Sequence, residues 1–76
     1  MIWDDEIDAL SLLCPLPVLK ARKRLKSMEN GKVLRLVADD PAAVVDVPHF
    51  CVESGHSLLL SKSEGPATVY YIRKSG

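Results

Sequence analysis

Cys14-Pro15-Leu16-Pro17-Val18-Leu19-Lys20-Ala21-Arg22-Lys23-Arg24-Leu25-Lys26-Ser27-Met28-Glu29-Asn30-Gly31 decides the fold, because it reads as one helix with both ends marked. Proline suits a first helical turn, where its missing N–H has no intrahelical partner. From Pro15 to about Met28 the apolar residues Val18, Ala21, Leu25 and Met28 fall on one helical stripe. Leu16 and Leu19 lie off that stripe, on the side shared with Lys20 and Lys23. Asn30-Gly31 is the expected stop, with glycine supplying a left-handed cap. If Pro15 is the first helical residue, Cys14 is the N-cap, and its sulfur lies beside free backbone N–H groups. Such a setting lowers a thiol pKa from about 8.5 to roughly 3.5–7.5 and favours the nucleophilic thiolate. Pro15 and Pro17 also remove two donors, leaving the Leu16 N–H as the nearest in the first turn.

Working outward, Ile2 to Ala9 alternates weakly and suits a short first strand, with Ser11 to Leu13 as the approach to the cysteine. Lys32 to Ala38 is β-rich and nearly continuously apolar, as a central strand would be. Asp40-Pro41 repeats the cap-then-proline grammar of a helix start, with Asp40 as cap. Pro48 then falls inside that helix. Either the helix kinks there, or a short turn precedes a second start capped by Asp46. Val44, Val47, Phe50, Cys51 and Ser54 share one face, and Gly55 ends the helix. Ser57–Lys62 and Thr68–Lys74 read as two strands joined through Ser63-Glu64-Gly65-Pro66. The order is β-α-β-α-β-β. It predicts an α/β (α+β) two-layer sandwich, a four-stranded mixed sheet with two helices on one face and the other face comparatively open. The β-α-β connection should be right-handed if its strands are parallel. Trp3 is expected to pack at a sheet edge.

The 76 residues support a single domain over 1–76 with one modest core. A net charge of zero and the lack of clustered exposed aromatics argue against direct nucleic-acid binding. No apolar run approaches a membrane span, and the acidic start (Asp4, Asp5, Glu6, Asp8) is unlike a signal peptide. A cytoplasmic monomer is expected. Cys14 and Cys51 form neither a disulfide scaffold nor a Cys-x-x-Cys pair, so both should be free thiols in a reducing compartment. Cys51 reads as a buried core thiol. His49 and His56 lie near it in sequence, but without metal-site spacing, so no metal is expected. The bases gather after the cysteine. Lys20, Lys23 and Arg24, with Leu19, make a candidate docking surface, although such a face is most simply just solvated.

Ile7 to Ala21, with Cys14-Pro15-Leu16-Pro17 at its centre, resembles the signature of the TusA/SirA-like sulfur-carrier family. The likeness continues through Asn30-Gly31, Ala38-Asp39-Asp40-Pro41, Asp46-Val47-Pro48 and Gly55-His56, from about residue 7 to residue 74. It implies the same β-α-β-α-β-β sandwich. It also implies that Cys14 accepts sulfane sulfur as a persulfide from a cysteine desulfurase or similar donor, then hands it to an acceptor protein. No cofactor is expected, partner contacts are transient, and Pro15, Leu16 and Pro17 shape the site. Two positions depart from the family pattern. Ser11 replaces a usual glycine, which suggests a different backbone in the approach loop. Leu16 stands where the best-known tRNA-thiolation carriers have a glutamate, which implies a different docking partner. The competing reading is a non-catalytic interaction or regulatory module of the same fold, with Cys14 only shaping the turn.

Overall fold

The computed structural model describes all residues, Met1–Gly76. Its elements are β1 (Asp5–Ala9), α1 (Leu16–Lys26), β2 (Val33–Ala38), α2 (Ala43–Ser54), β3 (Ser57–Glu64) and β4 (Ala67–Arg73). The sheet order is β1-β2-β4-β3, with β1 parallel to β2 and the other two pairings antiparallel. The expected two-layer α+β architecture is therefore what the chain adopts, and β2 is a central strand.

Alternation along the strands sets the two layers. Ile7 and Ala9 of β1, Leu34, Leu36 and Ala38 of β2, and Tyr70 and Ile72 of β4 form the core with Ala21 and Leu25 of α1. From α2 come Ala43, Val47, Phe50 and Cys51, at helical spacing. This stripe includes Ala43 where Val44 was expected. Val44 is instead 55% exposed.

The helix ends depart from expectation. α1 stops at Lys26 with Ser27 as its C-cap, before Asn30-Gly31 is reached. The Ser27 hydroxyl donates to the Arg24 carbonyl (2.8 Å), and Lys74 Nζ donates to the Leu25 carbonyl (2.6 Å). These donors satisfy the last carbonyls, so no glycine cap is needed there. Gly31 (φ 91°) makes the turn into β2 instead, its N–H donating to the Lys74 carbonyl. α2 runs unbroken through Pro48. The buried stripe of α2 outweighs the hydrogen bond that the proline cannot make. Gly55 (φ 77°) does end α2 as a left-handed cap.

The sheet face away from the helices is less open than its position suggests. Trp3 lies across it over the two central strands, where an edge position was expected. Its ring is 5.8 Å from that of Tyr71, and the Arg35 guanidinium is 5.0 Å from its centroid. The Asp4 N–H donates to the Val33 carbonyl, and the Val33 N–H donates to Asp4 Oδ2. These two bonds at the start of β2 carry the N-terminal segment inward. Beneath it, Val69 is fully buried and Tyr71 nearly so.

Candidate functional site: the Cys14 thiol and its aspartates

The site follows from β1 and β2 being parallel and in register, with Ala9 opposite Ala38. Both strands leave the sheet at the same edge, so the loops into α1 and α2 must meet there. Ser11 donates its N–H to Asp39 Oδ1 (2.9 Å), and Cys14 donates its N–H to Asp40 Oδ2. The Ser11 backbone is left-handed (φ 67°), the conformation glycine would favour. The loop therefore has a glycine-type geometry with a serine in it, held by the Asp39 bond. The Cys14–Pro15 peptide is cis.

Cys14 is not an N-cap. Pro15 holds that position, and α1 begins at Leu16. The Leu16 N–H is already bonded to the Leu13 carbonyl (2.8 Å), and neither proline has one to offer. The exposed Cys14 Sγ donates instead to Asp46 Oδ2, at 2.7 Å. That hydrogen bond, with some desolvation and the charges of Asp46 and Asp40, pushes the thiol pKa up from its ordinary value. The expected thiolate-favouring helix start is thus overturned: the nearest charge is a carboxylate, and a like charge disfavours ionisation.

Asp40 and Asp46 are likewise not the expected helix caps. Ala42 is the N-cap of α2, without a side-chain cap bond. Asp40 builds the turn before it, its Oδ1 accepting the Ala42 N–H (3.2 Å) and its carbonyl the Ala43 N–H (3.0 Å). Asp46 lies in the first turn of α2, three residues after buried Ala43, and so faces α1 at the rim of the core. That spacing was the signal in the sequence. Reading Asp46 as a cap for a second helix start hid it.

A shallow cleft of about 210 Å³ opens beside the thiol, between the two helices. It is lined by Cys14, Pro15, Val18 and Arg22 on one side and Asp46, His49, Phe50 and Glu53 on the other. Arg22 lies over the Phe50 ring at 5.2 Å, and His49 Nε2 is 3.0 Å from Glu53. The sequence offered no reading that joined these residues. Lys20, Lys23 and Arg24 border a separate depression with Ile7 and Ser27, which does not include Cys14. Arg24 is also paired with Asp5 at 2.7 Å. Arg22 is therefore the basic α1 residue that shares a cleft with the thiol.

Pro17 is buried, whereas Leu13, Leu16 and Leu19 are 68%, 46% and 49% exposed. With Val44 and Val45 in the first turn of α2, they leave apolar surface on the elements that flank the thiol. Cys51 is 2% exposed, and burial pushes its pKa up to about 11. His56 Nδ1 accepts the N–H groups of Ser75 (3.2 Å) and Gly76 (3.1 Å), a hydrogen-bonding role at the end of α2. No three His, Cys, Asp or Glu side chains converge as a metal site requires, and no helix is long and apolar enough to cross a membrane.

Fold and site together define a small α+β protein that presents one accessible thiol on the loop between a strand and a proline-started helix. The chain belongs to the sulfurtransferase TusA family, whose family model matches residues 5–74. The sulfur carrier protein TusA of Allochromatium vinosum is 44% identical over 73 residues, covering 96% of each chain. The crystal structure of a SirA-like protein from Desulfitobacterium hafniense shares the fold, with a TM-score of 0.82 at 23% identity. The match covers 96% of this chain and all of that one.

Proposed function

We propose that the protein is a sulfur carrier in which Cys14 accepts sulfane sulfur as a persulfide and relays it to an acceptor protein. The observation that carries this reading is an exposed Cys14 thiol, at the family's Cys-Pro-x-Pro position, in a chain 44% identical to a named sulfur carrier. In the transfer, Cys14 Sγ bonds to the outer sulfur of a donor's cysteine persulfide. The donor's S–S bond breaks, and its cysteine leaves as a thiol. No net oxidation or reduction takes place, so the step needs no cofactor of its own.

A cysteine desulfurase or a comparable persulfide-bearing protein is the donor. The exposed Leu13, Leu16 and Leu19 provide apolar contact area beside the thiol, and Leu19, Lys20 and Lys23 extend that face along α1. Leu16, in place of a glutamate, favours an apolar patch on the partner over a basic one. The contacts are transient, because the same thiol has to be reached by a donor and then by an acceptor. A reducing cytoplasm suits both free cysteines.

Incubation with a cysteine desulfurase and cysteine, followed by intact-mass measurement, tests this. An adduct of about 32 Da, one sulfur atom, is expected on the wild type and on Cys51→Ala, and none on Cys14→Ser. No adduct from a desulfurase, nor from a rhodanese-type donor with thiosulfate, would leave a chain that only binds partners.

A further inference from the structure

We propose that Asp46 is the proton acceptor for Cys14 during sulfur transfer, an inference that rests on the carrier reading above. Asp46 Oδ2 lies 2.7 Å from Sγ, on a helical turn whose neighbour Ala43 is anchored in the core. Asp40 fixes the other side of the geometry by accepting the Cys14 backbone N–H. The charged and titratable groups facing the thiol are Asp40 before α2, Asp46, His49 and Glu53 on α2, and Arg22 on α1. His49 is paired with Glu53, and Arg22 rests on Phe50. Asp46 alone hydrogen-bonds the sulfur.

The arrangement keeps the resting thiol protonated, with its hydrogen directed at the carboxylate. When Sγ attacks the outer sulfur of the donor persulfide, the Sγ–S bond forms and the donor's S–S bond breaks. The Sγ proton passes to Asp46 Oδ2, and the departing donor thiolate recovers it from there. The products are the Cys14 persulfide and the donor thiol, and Asp46 ends as it began. In water a carboxylate is a weak base toward a thiol. A docked partner excludes that water and leaves the carboxylate hydrogen-bonded to Sγ as the acceptor at hand for its proton. The nucleophile is thus released mainly within the complex, where the sulfur is to be taken.

Asp46→Asn separates this role from a simple charge effect, because the two make opposite predictions. Removing the charge moves the pH profile of Cys14 alkylation by iodoacetamide to lower pH, so alkylation at pH 7 speeds up. Single-turnover sulfur uptake from a cysteine-loaded desulfurase should instead slow by about a hundredfold, the scale of a lost general base. Asp46→Ala, which favours helix, should give the same pair of opposite shifts, and Asp46→Glu should restore part of the uptake. Uptake that is unchanged, or that rises together with alkylation, overturns the proton-acceptor role while leaving the carrier reading intact. A wild type that takes up no sulfur removes both.

Discussion

Cys14 and Cys51 are two thiols of one small chain whose pKa values move in the same direction for unrelated reasons. Cys14 is on the surface, raised chiefly by its hydrogen bond to Asp46. Cys51 is sealed between α2 and the sheet, raised by burial alone. The difference lies in what can reverse each shift. Rearranging or removing the Asp46 hydrogen bond, which lies at the surface, would change Cys14. Only opening the core would change Cys51. A raised pKa therefore does not mark a thiol as inert; its cause does.

The largest expected effect is kinetic. In the native protein, iodoacetamide should modify Cys14 at least about a thousandfold faster than Cys51, which must wait for unfolding at typical equilibrium constants. Mass spectrometry of a time course measures both, and comparable rates would break the contrast.

The pH dependence of stability should come next. The Cys51 thiol ionises near ~8.5 when unfolded and at about 11 when folded. Above pH 8.5 the unfolded state therefore binds fewer protons than the native state, and stability falls as pH rises toward 11. Urea unfolding at pH 7 and pH 10 should show a loss of about 2 kcal/mol that is missing in Cys51→Ala. A wild-type curve as flat as that variant's would mean that Cys51 is not sealed.

A smaller effect belongs to the Cys14 loop. Ser11→Gly relieves a left-handed serine but loosens the unfolded chain, for a net gain of at most about 1 kcal/mol in urea unfolding. A clear loss would show that the serine backbone is not strained.

The smallest concerns the end of the helix that carries Cys51. Burial, with the Lys74 charge, lowers the His56 pKa, so the neutral ring accepts the Ser75 and Gly76 N–H groups at pH 7. As pH falls below about 6.5 the unfolded state takes up the proton first, and stability drops. Amide exchange of Ser75 and Gly76 should quicken over the same range. Exchange that stays independent of pH, after correction for intrinsic rates, would remove this role.

The sheet and helices were legible because alternation in β2 and the stripe of α1 are local patterns. So was Gly55, whose left-handed cap lies where the helical pattern ends. The site was only half legible. Cys14 could be singled out from the prolines beside it, and the family resemblance supplied a role. Its environment could not be read along the chain. Asp46 meets Cys14 because β1 and β2 are parallel and bring two helix starts to one edge, a consequence of strand pairing that residue spacing does not display. The same reason explains Arg22. It reaches the cleft beside the thiol, while its more numerous basic neighbours face another way. Trp3 was misplaced for a different cause, since nothing local announces that Arg35 and Tyr71 would hold it over the sheet.

The most direct test of the central claim is to locate the transferred sulfur. Trypsin separates the two thiols, with Cys14 in residues 1–20 and Cys51 in residues 36–62. After loading from a cysteine desulfurase and blocking of the persulfide, the extra sulfur should be found on the Cys14 peptide and not on the Cys51 peptide. Sulfur on Cys51, or divided evenly between the two, would contradict the account.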